Sequence, residues 1–290
     1  MTTDRGRIAG FDERLTPARP DLAAAYLRGQ IEAPRFVEGE AMRIIVEVTP
    51  LRGDPNPENG YDTQALYGET LIAYEIDDEG WAYVQLTRDN YVGYLSANEI
   101  APAGIQPTHS VRTPRTFVYP GRSIKTPPIM ALPMLAQICV SDIDGAFART
   151  ESGYVWVEHL APIGLSETDF VAVAERYEHA PYLWGGKTWA GLDCSGLVQI
   201  SLQAAGIEAP RDTDMQAAAL GAALDPGADF ANLRRGDLVF WKGHVGMMLD
   251  AETLLHANGH HMQVAREPFA QARERIAANS FGEITCVRRL

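Results

Sequence analysis

Hydrophobic periodicity changes twice along this chain, and those changes limit what it can fold into. From about residue 41 the pattern has a period of two. The runs A-M-R-I-I-V-E-V (41–48), T-L-I-A-Y-E-I (70–76), W-A-Y-V-Q-L (81–86) and Y-V-G-Y-L (91–95) are rich in β-branched and aromatic residues. Gly/Asp/Asn/Pro clusters such as R-G-D-P-N-P-E-N-G (52–60) separate them, which predicts a small all-β unit. The unit recurs. Leu51-Arg52 returns as Val111-Arg112, Tyr91-Val92 as Tyr154-Val155 and Ala101-Pro102 as Ala161-Pro162, at offsets of 60, 63 and 60. D-E-G-W-A-Y-V (78–84) is echoed by I-D-G-A-F-A-R (143–149). Self-similarity near this period predicts two copies of one small barrel, at 41–104 and 105–164. The Pro-rich stretch 125–133 reads as an inserted loop.

Before the barrels, residues 1–40 read as a helical lead-in: D-L-A-A-A-Y-L-R-G (21–29) has an Asp start, helix formers and a Gly stop. From about 165 the texture changes again. S-E-T-D-F-V-A-V-A-E-R-Y (166–177) reads as a helix opened by a capping box from Ser166 to Asp169. A Gly-rich turn follows (184–191), then a second apolar helix from Cys194, ended by Gly206. Strand-like segments come next, at 237–241, 244–250, 253–257 and 284–288. Helices followed by strands predict an α+β domain over 165–290.

Composition narrows the function. With 25 basic and 38 acidic residues the net charge is −13, a poor match to nucleic acid or to an anionic membrane surface. No apolar run approaches the roughly 18 residues of a membrane span. No apolar segment follows the first charges, so the expected location is the cytoplasm. Three cysteines with no C-x-x-C argue against a disulfide framework or a cysteine-rich metal site. The sequence carries no signal for the oligomeric state.

One of those cysteines stands apart. Cys194 follows Asp193 and opens an apolar helix, where the macrodipole and unpaired amides favour thiolate and lower its pKa. The amides that follow point to where an oxyanion would form. Cys139 and Cys286 read as mid-strand core residues. A cysteine nucleophile needs a base, and the base an orienter. His244 opens one strand-like segment and His256 lies on the next; with Asp250 to Glu252 as the turn, a hairpin makes them neighbours on one face. His244 is then the base, and His256 fixes its tautomer. Alone, a histidine at a strand start is more often a surface group. H-A-N-G-H-H (256–261) invites a metal reading, but Asn258-Gly259 marks a turn, no carboxylate joins the group, and no cofactor is expected.

The segment Y-L-W-G-G-K-T-W-A-G-L-D-C-S-G (182–196), with R-R-G-D-L-V-F-W and G-H-V-G-M (234–247) and L-L-H-A (254–257), resembles the NlpC/p60 family of papain-like cysteine peptidases. The preceding barrels resemble bacterial SH3-like domains. The resemblance implies a papain-like catalytic domain after two SH3-like barrels, with a Cys194–His244–His256 triad. It implies that Tyr182 helps stabilise the oxyanion and that the Ser195 side chain lies near bound substrate. It implies hydrolysis of peptidoglycan peptides between γ-D-glutamate and a diamino acid.

A narrower resemblance, to dipeptidyl-peptidase-like members, rests on R-D-T-D-M-Q (211–216), L-Y-G-E (66–69) and D-N-Y-V-G-Y (89–94), the last standing where the family usually has D-G-Y-x-G-W. It implies that Asp212, Glu69 and Tyr91 hold the free amine of an N-terminal L-Ala, with Arg211 and Thr213 also in the substrate site. From the residues alone, Glu69 reads as a solvated loop acid and Asp212 as a helix cap. The expected activity is release of L-Ala-γ-D-Glu during recycling of wall peptides. A non-catalytic peptide-binding module, and an amidase or acyltransferase on the same fold, remain open alternatives.

Overall fold

In the computed structural model, residues 10–104 and 106–290 are described, and the chain divides into two units, Met1–Ile163 and Gly164–Leu290. The first unit opens with strands Ala18–Arg19 (β1), Leu22–Ala24 (β2) and Phe36–Val37 (β3). The helical lead-in is not found. Over 21–29 there is β2 and one 3-10 turn, Ala25–Leu27, and residues 1–9 lie outside the described residues. The reason is burial on every side. Leu22, Ala23 and Ala24 are fully buried in succession, and with Leu27 they pack among Tyr74, Tyr83 and Val92. A helix would turn one of three consecutive residues outward; a strand bonded on both edges buries all three.

The first barrel comprises Glu40–Ile44 (β4), Val48–Leu51 (β5), Thr63–Leu66 (β6), Thr70–Ile76 (β7), Trp81–Leu86 (β8), Val92–Ser96 (β9) and Ile100–Pro102 (β10). Its main sheet runs β10-β4-β7-β8-β9, all antiparallel, and β5 pairs with β6. A second barrel comprises His109–Val111 (β11), Arg115–Tyr119 (β12), Met130–Pro133 (β13), Gln137–Ile138 (β14), Val140–Asp144 (β15), Phe147–Thr150 (β16), Gly153–Trp156 (β17) and Leu160–Pro162 (β18). The copies share their hydrogen bonding. Ile44 N–H donates to the Glu69 carbonyl as Val111 N–H does to Ala136. Gly93 and Gly153 both back onto a carbonyl, of Arg52 and of Tyr119, where a Cβ would come within 2.5 and 2.4 Å.

These equivalences correct the register read from the sequence. The offset is 67 at Ile44/Val111 and 60 at Gly93/Gly153, so the second copy loses seven residues in between. Ala101-Pro102 and Ala161-Pro162 do correspond, whereas Val111 matches Ile44 and Tyr154 matches Tyr94. The stretch 125–133 is no insertion: it ends the β12–β13 loop and forms β13, as the loop after β5 leads into β6.

The second unit begins with helix Phe170–Glu175 (α1). Asp169 caps it, accepting from the Val171 and Ala172 amides, so Ser166 is not the cap. Then come Lys187–Thr188 (β19), Gly191–Leu192 (β20), Cys194–Ala204 (α2), Thr213–Ala219 (α3) and Ala222–Ala223 (β21). Leu238–Trp241 (β22), His244–Met248 (β23), Thr253–Asn258 (β24), Gln263–Pro268 (β25), helix Phe269–Asn279 (α4) and Cys286–Arg289 (β26) complete it. The six-stranded antiparallel sheet has the order β21-β26-β22-β23-β24-β25, and α2 packs on β23 and β24. Cys139 stands between β14 and β15 and Cys286 opens β26; both are half-buried, not mid-strand core. Among the described residues, no helix is long and apolar enough to cross a membrane.

Candidate active site

The first residue of α2 is Cys194, and the turn that presents it is bound from below. Asp193 caps the helix: its Oδ1 accepts from Gly196 N–H at 2.7 Å, and its Oδ2 from Gly185 N–H at 2.8 Å. Arg211 grips both oxygens, at 3.0 and 2.7 Å, and donates to Ser195 Oγ at 2.8 Å. Gly186 and Gly196 are needed for close approach, since a Cβ on Gly196 would lie 2.1 Å from the Gly186 carbonyl oxygen and one on Gly186 2.4 Å from that of Gly191. Above this floor the Cys194 sulfur lies 3.9 Å from Thr213 Oγ1, and the backbone N–H of Val245 stabilises its charged form. That amide belongs to the residue after His244, so α2 presents the sulfur to the start of β23.

The two histidines come from one hairpin. Asp250 shapes its turn, accepting from the Glu252 and Thr253 amides at 2.8 Å each. Met247 pairs with Leu255, so position 246 stands opposite 256, and His244 and His256 are diagonal neighbours on one face. The residue directly across from His256 is glycine, Gly246. His244 Nε2 and His256 Nδ1 are 2.8 Å apart. The chain of contacts continues: His256 Nε2 lies 2.6 Å from Glu267 Oε1, and Arg275 on α4 donates to that same oxygen. Phe281 stacks on the His244 ring, with centroids 5.1 Å apart and 8° between planes, and Trp241 flanks it at 5.6 Å. Both histidines are buried.

Known proteins resemble this chain in both of its units. The NlpC/P60 family profile matches residues 179–277, and that of the bacterial dipeptidyl-peptidase Sh3 domain matches 51–100. The C-terminal unit is an NlpC/P60 domain. The chain is 28% identical over 226 residues to the gamma-D-glutamyl-L-lysine dipeptidyl-peptidase of Bacillus subtilis (strain 168), covering 69% of this chain and 73% of that one. It is 26% identical over 239 residues to dipeptidyl-peptidase 6 of Lysinibacillus sphaericus, covering 74% and 86%. In fold it is similar to an NlpC/P60 family protein from Bacillus cereus ATCC 10987, with TM-score 0.71 and 18% identity over 86% of this chain and 99% of that one. The chain is a cysteine peptidase, a hydrolase.

Burial governs the electrostatics of the NlpC/P60 domain. It pushes the Cys194 thiol up to about 11, and the neighbouring Asp193 carboxylate adds to this; the Val245 amide, Thr213 and Arg211 oppose it. The direction is opposite to the low thiol pKa expected from the helix start, because burial and an adjacent anion both disfavour the thiolate. His244 is held well below the ordinary imidazole value by burial first, then by His256 and Arg275. Burial also lowers His256, against the pull of Glu267. Glu267 is itself opposed by burial, yet its bonds from His256 and Arg275 hold it down at about 2. Burial thus disfavours the charged forms of the thiol and of both imidazoles, while the Glu267 carboxylate at the far end stays charged.

The remaining predicted residues divide into two groups. Tyr182 lies within the electrostatic reach of Cys194, and its amide is fixed to the Met262 carbonyl at 2.9 Å. Thr213 stands beside the sulfur. Asp212 precedes it at the α3 cap position, where its side chain makes no capping bond. Arg211 is 1% exposed and bonded to Asp193, and Ser195 Oγ lies between those two, so both brace the turn that presents the nucleophile. Glu69 and Tyr91 belong to the other unit. Glu69 is no solvated loop acid, since its Oε2 accepts from Leu66 N–H at 2.9 Å and its Oε1 lies 3.4 Å from Arg88 Nε. Tyr91 joins the first barrel's apolar cluster, and Asn90 before it has φ +60°, a conformation that asparagine tolerates better than most residues. Glu267 and Arg275 were missed. Among the described residues no group of three His, Cys, Asp or Glu is placed to hold a metal.

Proposed function

We propose that this peptidase hydrolyses the γ-D-glutamyl–diamino acid bond of peptidoglycan-derived peptides bearing a free N-terminal L-Ala, releasing L-Ala-γ-D-Glu. The observation that carries the chemistry is the Cys194–His244–His256 constellation. The names of the two relatives support the substrate class. Because Nε2 of His244 is engaged by His256, Nδ1 is left to act as base. The Cys194 sulfur attacks the γ-carbonyl carbon as its proton passes to His244 Nδ1. The oxyanion is held by amides at the start of α2 and by Tyr182. The proton then moves to the departing amine as the C–N bond breaks, leaving a thioester. Water activated by the same nitrogen releases the dipeptide and restores the thiol.

Asp212, at the mouth of α3 beside Thr213, supplies an anion for the substrate ammonium. A site that pairs an ammonium with a carboxylate binds a substrate without that charge less well, since the pairing is never made. This selectivity favours turnover peptides with a free N-terminus. The test is mass spectrometry of products from L-Ala-γ-D-Glu-L-Lys and its diaminopimelate counterpart, each with the amine free or acetylated. Release of L-Ala-γ-D-Glu from the free peptides alone, with the preference weakened in Asp212→Asn, is the expected result. Equal cleavage of acetylated peptides refutes the amine requirement.

A further inference from the structure

The relay does not end at His256. Glu267, on the strand beside it, takes His256 Nε2 at 2.6 Å, and Arg275 reaches across from α4 to the same carboxylate oxygen. Glu267 is on β25, paired through Leu254, and Arg275 is on the helix that follows. The carboxylate is therefore held by two elements and aimed at a ring that is itself buried.

We propose that Glu267, anchored by Arg275, is a positioning residue of the peptidase: it dictates which nitrogen of His256, and through it of His244, carries the proton. The inference rests on the assignment of His244 as base made above. An ionised carboxylate only accepts hydrogen bonds, so His256 must carry its proton on Nε2. Its Nδ1 is then a lone pair, and the only way to fill the 2.8 Å contact is for His244 to donate from Nε2. That leaves the His244 Nδ1 lone pair free to take the thiol proton. When it does, His244 becomes an imidazolium, still donating through Nε2, with the Glu267 charge one ring further on to balance it. Without an acceptor at 267 the order can reverse. His256 then donates from Nδ1, His244 carries its proton on Nδ1, and the base is lost. The groups whose charge reaches the two rings, besides each other, are Glu267, Arg275 and His261.

One feature separates a tautomer role from a mere ion pair. Arg275 and His256 both use Oε1. A glutamine carbonyl placed there can accept from both, so Glu267→Gln should keep the proton order although it removes the charge, whereas Glu267→Ala removes the acceptor.

The test uses the full chain with 15N-labelled histidine, reading the ring nitrogens of His244 and His256 by NMR beside kcat, KM and the pH profile. In the parent, Nε2 of each ring should be protonated and Nδ1 bare. Glu267→Gln should keep that pattern and stay within about tenfold in kcat. Glu267→Ala should lose it, with kcat down about 100-fold, KM within about twofold and an altered acid limb, the size expected when a supporting partner of a catalytic group is removed. Arg275→Met should fall between them. A parent with His256 protonated on Nδ1 overturns the proposal even if no variant folds. So does a folded Glu267→Ala whose nitrogens or kcat match the parent. If the nitrogens behave as stated while no wall peptide is cut, the substrate reading fails and the tautomer assignment stands.

Discussion

Replacing Arg211 by Met separates two roles for a residue that its motif alone assigns to substrate. The arginine is 1% exposed and spends its guanidinium on Asp193 Oδ1 and Oδ2, at 3.0 and 2.7 Å, and on Ser195 Oγ at 2.8 Å. Arg211→Met fills comparable volume but leaves the Asp193 carboxylate with the Gly185 and Gly196 amides and Ser195. Removing one partner of a buried ion pair costs about 3–5 kcal/mol, because the other charge stays buried without its counter-charge. For a unit the size of Gly164–Leu290 that corresponds to a fall in Tm of roughly 10–20 °C. Calorimetry of the full chain reads it as a lowered Tm. Activity should fall through kcat, because the turn that presents Cys194 loosens. A Tm within about 3 °C of the parent together with a raised KM would refute the brace and return Arg211 to the substrate site.

Two further predictions concern the same floor and the relay above it. Gly196→Ala drives a Cβ to 2.1 Å from the Gly186 carbonyl oxygen and 3.0 Å from Asp193 Oδ1, both rigid, so it should cost more than about 3 kcal/mol; a melt within 2 °C of the parent would contradict the packing. Burial holds His244 and His256 below the ordinary imidazole value, so the acid limb of kcat/KM should lie below that value. The same shift destabilises the fold in acid. The unfolded chain binds protons from about pH 6.5 downward while the folded one resists them, so Tm should drop between pH 7 and 5. Glu267, held at about 2, stays charged throughout that window. An acid limb at or above the ordinary imidazole value would refute the buried neutral pair.

What could be read from the sequence was whatever lies close together along the chain. Cys194 announces itself by its helix and its Gly-rich flanks. The spacing of His244 and His256 around a short turn is enough to bring them onto one face, as the 2.8 Å contact shows. Glu267 could not be found that way. It reaches His256 across a second hairpin, and its anchor Arg275 sits a helix later, so nothing local marks either residue. Arg211 was visible in its motif but its direction was not: whether a guanidinium points to substrate or to Asp193 is a tertiary fact. The thiol pKa differed for a similar reason. A helix start can be read from sequence, but the depth of burial that raises the thiol cannot. In the lead-in, helix propensity over 21–29 yielded to packing that buries Leu22, Ala23 and Ala24 together. The barrel repeat was legible in kind, while a seven-residue shortening of the second copy hid its register.

The most direct test is whether a substrate fragment ever becomes bonded to Cys194. Rapid acid quenching of the enzyme with L-Ala-γ-D-Glu-L-Lys, followed by intact-mass measurement and peptide mapping, reads the thioester itself. The L-Ala-γ-D-Glu acyl group should be found on Cys194 alone and be absent from Cys194→Ala, which should also release no dipeptide. Dipeptide formed by Cys194→Ala, or an acyl group mapped to any other residue, would contradict the account.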